Sequence, residues 1–332
     1  MAVLAGGRSS EHAVSLASAR SVLAALDHDR YDTELIEIGR DGRWALPAAD
    51  RRAEAPRSAA ASLPIPAASA PATLGAVDVV LPILHGPFGE DGTVQGLLEL
   101  AGVPYVGSGV AASALCMDKD LCKAVLRDSG IPVTPSVTLR EDDAIENPFG
   151  YPVFVKPARL GSSVGISKVR SEADLEPAVE RARRHDDKVL IEELQPGVEV
   201  ECGVLGSRQP VASLVGEIVA HADWYDYAAK YDKGGMDLVV PARISSGATD
   251  RVRELAVASF RATDCEGLAR VDFFVRPDGE VVVNELNTMP GFTATSVYAK
   301  LFEASGLPYR ALLDRLIELA LERHERRSRL AY

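Results

Sequence analysis

Residues 269–292 read A-R-V-D-F-F-V-R-P-D-G-E-V-V-V-N-E-L-N-T-M-P-G-F, and this stretch decides the expected fold. Two runs rich in Val and Phe flank a P-D-G-E turn, which is a strong signal for a β-hairpin. If Asp278 and Gly279 form a two-residue loop, Asp272 pairs with Glu285 across the hairpin. Side chains alternate between the two faces of a strand, so both carboxylates are predicted to share one face.

The same register places Arg270 opposite Asn287, on the face that carries the two carboxylates. Facing carboxylates with Cβ atoms roughly 5 Å apart repel each other, and a divalent cation between them removes the repulsion. Asp, Glu and Asn offer hard oxygen ligands, which suit Mg²⁺ and the phosphates attached to it. Arg270 is placed to clamp a phosphoryl group that the metal also holds. The pattern therefore predicts a metal and phosphate site.

An ordinary solvated sheet face is the alternative interpretation of this hairpin. Phe274, Val281 and Val283 are predicted to lie on the same face as the carboxylates, so that face is largely covered, and buried charges need partners. The opposite face is expected to pack in the core and carries Val271, Phe273, Val275, Val282 and Leu286. Asn284 also falls on that apolar face, where the pattern assigns it no role.

Length and composition predict about two or three domains with a substantial core, since the chain has 332 residues of which 47% are hydrophobic. The net charge of −12 argues against nucleic acid as the main partner. The four cysteines show no C-x-x-C pair and are expected to be buried thiols in a reducing cytoplasm. No apolar run is long enough to span a bilayer, and the apolar start is too short for a secretory signal, so no membrane partner is expected.

Two predicted strands in the first third of the chain end at polar residues. A strand over 2–5 precedes a helix over 11–26, in which Glu11 lies in the first turn behind a Ser N-cap. Glu11 is either a favourable charge on the helix dipole or a functional carboxylate at the carboxyl end of a strand, where open α/β sheets bind ligands. The strand over 77–84 ends at His85. A lone loop histidine is more often structural than catalytic, so His85 is a secondary candidate.

Two other segments carry no predicted chemistry. Residues 47–75 are rich in Ala, Pro and Ser and indicate a mobile surface excursion. Residues 107–112 read G-S-G-V-A-A, which matches the dinucleotide-binding pattern G-x-G-x-x-A. That interpretation is rejected because no second strand ends in an acid about 20 residues on.

Lysines and a Gly/Ser loop indicate phosphate binding in the middle of the chain. Lys119 and Lys123 lie one turn apart on a predicted helix over 112–129; such lysines usually form a solvated face, but either can reach a phosphate. Lys156 ends an apolar strand, and the loop G-S-S-V-G follows at 161–165. Its main-chain N–H groups and hydroxyls can cradle phosphate above the Lys156 charge. An ordinary hairpin tip is the alternative.

Three later segments are further candidates. The strand V-L-I-E-E at 189–193 can offer backbone groups to a planar base and Glu to a ribose, or it is an edge strand with solvated acids. Residues 221–241 are long, aromatic and polar, which is typical of a lid, with Lys230 and Tyr231 as the residues facing a substrate. Residues 291–296 are predicted to open a helix whose free N–H groups can hold an oxyanion.

Taken together, these motifs resemble the D-alanine–D-alanine ligases of the ATP-grasp superfamily over essentially the whole chain. The matching segments are 6–11, 85–92, 117–119, 156–157, 161–165, 227–231, 267–272 and 284–291. The resemblance implies an α/β fold with a three-domain ATP-grasp architecture and an N-terminal Rossmann-like domain. The implied domains are a substrate-side domain over 1–108, a central ATP-grasp subdomain over 109–196, and a C-terminal ATP-grasp domain over 197–332 that carries the metal site and the lid.

The resemblance also implies how ATP and metal are held, with ATP between the central and C-terminal domains. Asp272, Glu285 and Asn287 resemble the ligands of two Mg²⁺ ions, with Glu285 bridging them and Mn²⁺ as a substitute. The phosphate-binding lysines are Lys119 and Lys156. The implied cofactor-binding set is Lys119, Lys156, Ser162, Ser163, Glu192, Glu193 and Glu199, of which the glutamates lie on the adenosine side.

The implied catalytic residues are Glu11, Ser162, Arg270, Gly291, Ser296 and Tyr231, and the implied substrate-binding residues are His85, Lys230 and Ser296. Glu11 resembles the residue that orders the ammonium group of the first D-alanine. Arg270 and the Gly291 N–H group resemble the oxyanion site. Lys230 and Ser296 resemble the residues that hold the carboxylate of the second D-alanine.

The implied reaction is the ATP-dependent ligation of two D-alanine molecules through an acyl phosphate, for peptidoglycan precursor synthesis. Acyl phosphates hydrolyse easily, so a lid must exclude water, and Ser162 and Tyr231 resemble residues that hydrogen-bond toward Glu11 and close it. The alternatives are a D-alanine–D-lactate or D-alanine–D-serine ligase, and a nucleotide-binding protein without turnover. The sequence Y-A-A-K-Y at 227–231 resembles the D-alanine-specific form. A cytoplasmic homodimer is expected.

Overall fold

The computed structural model describes residues 1–45, 74, 77–221 and 235–331, whose strands form three sheets. Of the predicted excursion over 47–75, only Leu74 lies within the described residues, and it is buried. Of the predicted lid over 221–241, residues 222–234 lie outside them.

The first sheet is built on the apolar strand at the start of the chain, which is buried along its whole length. Its parallel strand β1 lies between β2 and β4 in the order β3-β2-β1-β4. Because the carboxyl ends of parallel strands meet at one edge, Glu11 and His85, which follow β1 and β4, come together. The elements of this part are β1 (Ala2–Gly6), α1 (His12–Ala25), β2 (Glu34–Ile38), β3 (Trp44–Ala45), β4 (Val80–Pro82) and α2 (Thr93–Leu100).

The second sheet is antiparallel, in the order β5-β8-β6-β7. It is preceded by two helices rather than the single helix predicted over 112–129, because Asp118 has an extended backbone and caps the second helix by accepting the Leu121 N–H. The elements of this part are α3 (Val110–Met117), α4 (Lys119–Asp128), β5 (Ser136–Leu139), β6 (Val153–Pro157), β7 (Ser167–Val169), α5 (Leu175–Arg183) and β8 (Val189–Glu193).

The third sheet is antiparallel, in the order β11-β10-β9-β12-β13, and one of its faces packs against α3, α4 and a helix that follows β11. Its elements are β9 (Val198–Gly206), β10 (Val211–Ala220), β11 (Met236–Val239), α6 (Ser246–Ala262), β12 (Gly267–Val275), β13 (Val281–Asn287), α7 (Val297–Ala304) and α8 (Tyr309–Ser328). Helix α8 also contacts the first part of the chain, since buried Arg323 donates to the carbonyl groups of Tyr105 and Gly107.

The predicted pairing at the hairpin is confirmed: Asp272 lies opposite Glu285, and Arg270 lies opposite Asn287. The turn differs from the prediction, because Arg276 and Glu280 form the last pair and close a three-residue loop (Arg276 N to Glu280 O, 2.8 Å). The register then shifts by one residue beyond Asp272, which restores the predicted pairs at the site.

The extra residue of this bulge is Asn284, and it changes which side chains face the core. Val281 and Val283 join the apolar cluster that contains Phe273 and Phe260, so their predicted place on the carboxylate face was wrong. The prediction that Val282 lies on the core face was also wrong, since the bulge reverses the alternation on this strand. Asn284 points instead to the second sheet, where its Oδ1 accepts from Lys156 Nζ at 3.4 Å.

Candidate active site

The acidic face of the hairpin is organised around one arginine. Arg270 makes a two-point ion pair with Asp272, with Nε–Oδ1 and Nη2–Oδ2 distances of 2.7 Å, and lies 2.9 Å from Glu201 Oε2. Asn287 Nδ2 donates to Asp272 Oδ2 at 3.0 Å. Burial lowers the pKa of Arg270, but the two carboxylates outweigh burial and raise it well above its ordinary value. Glu201 was missed because only the pairing of β9 with β12 places it opposite Asp272.

Two lysines of the middle part join this face to the Gly/Ser loop. Lys119 Nζ donates to the carbonyl of Leu160 at 2.6 Å and lies 3.5 Å from Glu285 Oε2. Lys156 extends from β6 toward Asn284. Lys119 and Lys123 are both buried, so the alternative of a solvated face for these two helix lysines was wrong. Lys156 is buried like Lys119. Their charges therefore lie beside the carboxylates of the hairpin.

Glu192 is held between two lysines in the interior. Its Oε2 lies 2.5 Å from Lys156 Nζ, and its Oε1 accepts from Lys123 and from the Thr134 hydroxyl. Glu192 is 4% exposed and Lys123 is 2% exposed. Burial lowers the pKa of Lys123 well below its ordinary value, and the nearby Lys156 charge adds to this. The position of β8 inside the sheet overturns the alternative of an edge strand with solvated acids.

The two remaining adenosine-side candidates lie on consecutive strands of different sheets. Glu193 is half-buried at the end of β8, and its Oε2 accepts from Gln195 Nε2 at 3.1 Å. Glu199 is half-buried on β9, opposite Phe274. Glu199 therefore belongs to the third sheet, whereas Glu192 and Glu193 belong to the second.

The Gly/Ser loop reaches the first sheet through Glu11. The Ser162 hydroxyl donates to Glu11 Oε1, and Ser162 and Ser163 both have left-handed backbones with φ of 51° and 57°. A Cβ atom at Gly86 would lie 2.6 Å from Glu11 Oε2, so only glycine leaves room for this carboxylate. Glu11 is the N-cap residue of α1, yet its side chain makes no capping hydrogen bond. The predicted Ser N-cap was wrong, and the Glu11 carboxylate faces the loop.

His85 lies in the same region with both ring nitrogens hydrogen-bonded. His85 Nδ1 lies 3.0 Å from the Met289 carbonyl oxygen, and Nε2 lies 3.1 Å from Ser18 Oγ. Burial lowers the pKa of His85, which is 3% exposed. Glu90 accepts the N–H groups of Gly86 at 2.6 Å and Met289 at 3.1 Å. Burial, followed by the nearby Glu11 carboxylate, raises the pKa of Glu90 to about 8.

The oxyanion candidates follow β13. The prediction that 291–296 opens a helix was wrong, because α7 begins at Val297 with Ser296 as its N-cap residue. Ser296 Oγ accepts the Thr293 N–H at 3.0 Å and lies 3.4 Å from the position of a Cβ atom built on Gly291. Gly291 and Ser296 are therefore neighbours in space. Lys230 and Tyr231 lie outside the described residues.

The donor set of the hairpin fits a magnesium site that phosphates complete. Within residues 1–45, 77–221 and 235–331, no group of three or more His, Cys, Asp or Glu side chains could hold a metal ion by itself. Asp272, Glu285 and Asn287 supply two carboxylates and one amide, which leaves about half of an octahedral shell to other ligands. Mg²⁺ commonly binds with one or two carboxylates and takes its other ligands from substrate phosphates and water.

The three sheets, with buried lysines and facing acids between the second and third, define an ATP-grasp protein, as predicted. Sequence profiles described as "D-ala D-ala ligase N-terminus" and "D-ala D-ala ligase C-terminus" match residues 1–108 and 125–318. The chain belongs to the D-alanine–D-alanine ligase family.

Relatives and solved structures agree with this assignment. A D-alanine–D-alanine ligase of Deinococcus radiodurans is 51% identical over 332 residues, covering 96% of this chain and 98% of that protein. The VanG D-Ala:D-Ser ligase of Enterococcus faecalis has a TM-score of 0.84 at 38% identity, covering 96% and 98% of the two chains. The D-alanine–D-alanine ligase of Bacillus anthracis complexed with ATP has a TM-score of 0.79 at 28% identity, covering 98% of each chain.

Proposed function

We propose that this protein ligates two D-alanine molecules to D-alanyl-D-alanine at the expense of ATP, for peptidoglycan precursor synthesis. The observation that carries the proposal is the meeting of three groups. Asp272 and Glu285 face each other beside Arg270, Lys119 lies next to Glu285, and the Ser162 hydroxyl reaches Glu11. Family membership over nearly the whole chain supports the same reaction.

In this proposal the hairpin and the lysines position ATP for carboxylate activation. Bound Mg²⁺ would neutralise phosphate charge and orient the γ-phosphate for attack. Asp272, Glu285 and Asn287 would hold the metal, and Lys119 and Lys156 would contact the phosphates. Ser162 and Ser163 would cover the phosphates through their loop, while Glu192, Glu193 and Glu199 would face the adenosine side.

The first D-alanine would be held by its ammonium group at Glu11, and its carboxylate would take the γ-phosphate. The amine of the second D-alanine would then displace phosphate through a tetrahedral intermediate. Arg270 and the Gly291 N–H would stabilise the oxyanion that develops in this step. Lys230, Tyr231 and Ser296 are proposed to hold the second substrate and the closed lid.

Phosphate release with Mg·ATP, in the presence and absence of D-alanine, tests the proposal. Release that depends on D-alanine, with D-alanyl-D-alanine as the product, is the expected outcome. Release without D-alanine would refute the ligase function. No release would also refute it and would favour a nucleotide-binding protein without turnover.

A second candidate product is D-alanyl-D-serine, because the VanG D-Ala:D-Ser ligase has a similar fold along the whole chain. Product analysis with D-alanine, D-serine and D-lactate supplied together separates the candidates. D-Alanyl-D-alanine as the main product is expected. If the D-serine dipeptide or the D-lactate ester predominates, the enzyme is specific for that second substrate instead.

We also propose that the protein is a cytoplasmic homodimer, on the strength of the family resemblance. All four cysteines are buried free thiols, which suits a reducing compartment. None of the helices in the described part of the chain is long and apolar enough to cross a membrane. Light scattering after size exclusion should give about twice the chain mass of 35.4 kDa, and a single-chain mass would reject the dimer.

A further inference from the structure

The segment 289–292, with the sequence M-P-G-F, is held at both ends by side chains from the first part of the chain. At its start, Glu90 Oε1 accepts the Met289 N–H at 3.1 Å, and His85 Nδ1 lies 3.0 Å from the Met289 carbonyl oxygen. At its end, Ser18 Oγ accepts the Phe292 N–H at 3.4 Å. We call these three side chains, Ser18, His85 and Glu90, the brace. They come from α1 and from the loop that follows β4.

Hydrogen-bond chemistry allows only one order of donors through the brace. A carbonyl oxygen only accepts, so the proton of neutral His85 must be on Nδ1. His85 Nε2 then has a lone pair, which accepts the Ser18 hydroxyl proton over 3.1 Å. With its proton committed, Ser18 Oγ can only accept from Phe292 N–H. Burial lowers the pKa of His85, which keeps the ring neutral and preserves this order.

The brace leaves one main-chain donor of the segment unused. Met289 and Phe292 donate to the brace, and Pro290 has no N–H group. The amide of Gly291 makes no hydrogen bond to any residue that the structure describes. A donor held between two fixed peptides and left open is the arrangement that a developing oxyanion requires, because no reorganisation is needed when charge forms.

We infer that Ser18, His85 and Glu90 are positioning residues that orient the Gly291 N–H toward the reacting carbonyl. This inference rests on the proposed ligase function, and it assigns His85 an indirect role instead of a contact with substrate. Glu90 also lies near Glu11, the residue proposed to receive the first substrate. The loop that carries Glu90 therefore lies beside Glu11 and also holds the peptide proposed to stabilise the oxyanion.

The test compares Ser18→Ala and Glu90→Ala with Ser21→Ala as a matched control. Ser21 lies one turn further on α1 and accepts the Ala294 N–H at 3.0 Å, beyond the braced segment. Ser18→Ala removes the acceptor of Phe292, and Glu90→Ala removes the acceptors of Gly86 and Met289. Both changes should free the segment without touching the predicted metal or ATP ligands.

The first readout is amide hydrogen exchange of 287–296 in the ligand-free protein. Exchange at Phe292 in Ser18→Ala, and at Met289 in Glu90→Ala, should rise about tenfold or more, since each amide loses its acceptor. The second readout is steady-state kinetics. For both brace variants kcat should fall about 10- to 100-fold with KM for ATP within about twofold, because oxyanion stabilisation is impaired while the proposed ATP contacts are kept.

Each other outcome overturns the inference. Unchanged exchange would mean that the brace does not hold the segment, and faster exchange with kcat within twofold of wild type would mean that holding it does not matter. An equal kcat loss in Ser21→Ala would indicate general packing. If Ser18→Ala does not fold, Glu90→Ala provides the test, because Glu90 is half-buried. A wild-type protein that makes no dipeptide refutes the proposed function instead, and the exchange readout still stands.

Discussion

Carboxylates on the hairpin and at the edge of the first sheet are buried by different means. Asp272 is paired with Arg270 at two points, and Glu192 is paired with two lysines. Glu90 is held by two backbone N–H groups instead, beside the Glu11 carboxylate. Cation partners favour the ionised form of the proposed metal-binding acids. Glu90 has no cation partner among the residues that the structure describes, and burial, followed by the nearby Glu11 carboxylate, raises its pKa to about 8. Charge pairing thus distinguishes the proposed ligand acids from the acid to which we assign a positioning role.

The sharpest test of the paired cluster is Glu285→Gln. The amide keeps the shape but removes the charge that would bridge the two metal ions, so kcat should fall about a thousandfold or more, since a metal site supplies several kcal/mol and each 1.36 kcal/mol is tenfold. Steady-state assays measure the loss of activity, and circular dichroism shows whether the variant still folds. Asp278→Asn at the exposed hairpin tip removes the same charge away from the site and should retain activity. Unfolding of Glu285→Gln would make Glu285 structural.

Lys123→Met tests whether pairing also supports the fold. Removing one partner of a buried ion pair costs about 3–5 kcal/mol, because Glu192 and Thr134 lose their shared donor. Urea denaturation should show this loss. Lys300→Met on the exposed side of α7 is the control and should change stability little. A loss below about 1 kcal/mol would show that Lys156 alone satisfies Glu192.

The raised pKa of Glu90 should make the stability of the protein depend on pH. The pKa of Glu90 is raised from its ordinary value of 4.5 to about 8, so the folded state binds more protons than the unfolded state between these values. The stability of the wild type relative to Glu90→Gln should therefore fall as pH rises from about 4.5 to about 8, and level off above that. Denaturant titrations across this range measure the difference. Glu11 and Arg270 are the charged side chains that act on Glu90, and they remain in both proteins. A flat difference would contradict the shifted pKa.

Asn284→Ala should have the smallest effect. Its contact with Lys156 spans 3.4 Å, which is long for a hydrogen bond, so the loss of stability should stay below about 1 kcal/mol. KM for ATP should rise only about two- to threefold if Lys156 then orients less well. A large drop in stability would instead show that Asn284 maintains the geometry of the bulge.

The strand pairing of the hairpin was predictable from local rules, but the register at the site was correct only because two errors cancelled. An Asp-Gly turn and strict alternation place Asp272 opposite Glu285 if the loop has two residues, whereas with the observed three-residue loop they alone would place it opposite Asn284. The predicted turn was one residue too short, and the unpredicted bulge at Asn284 compensated for it, so the site pairs were correct while the faces of Val281 and Val283 were not. A bulge cannot be read from alternation, because it is an exception to that pattern.

The remaining site residues were predictable only in part. Glu11, Lys119, Lys156 and Ser162 were named from motifs, but neither alternation nor spacing could show that the Ser162 hydroxyl contacts Glu11, 151 residues away in the chain. Glu201, Glu90 and Ser18 were not found, because their roles depend on neighbours from distant elements.

The sequence by itself determined the family, the paired hairpin and the hard oxygen donors on one of its faces. These follow from motif order and from a side-chain period of two, which act over a few residues. The tertiary structure alone decided which cation neutralises which acid. It also decided that Ser18, His85 and Glu90 hold a segment that lies 199 to 274 residues further on in the chain. Such contacts are fixed by packing between elements, and burial then sets their charge.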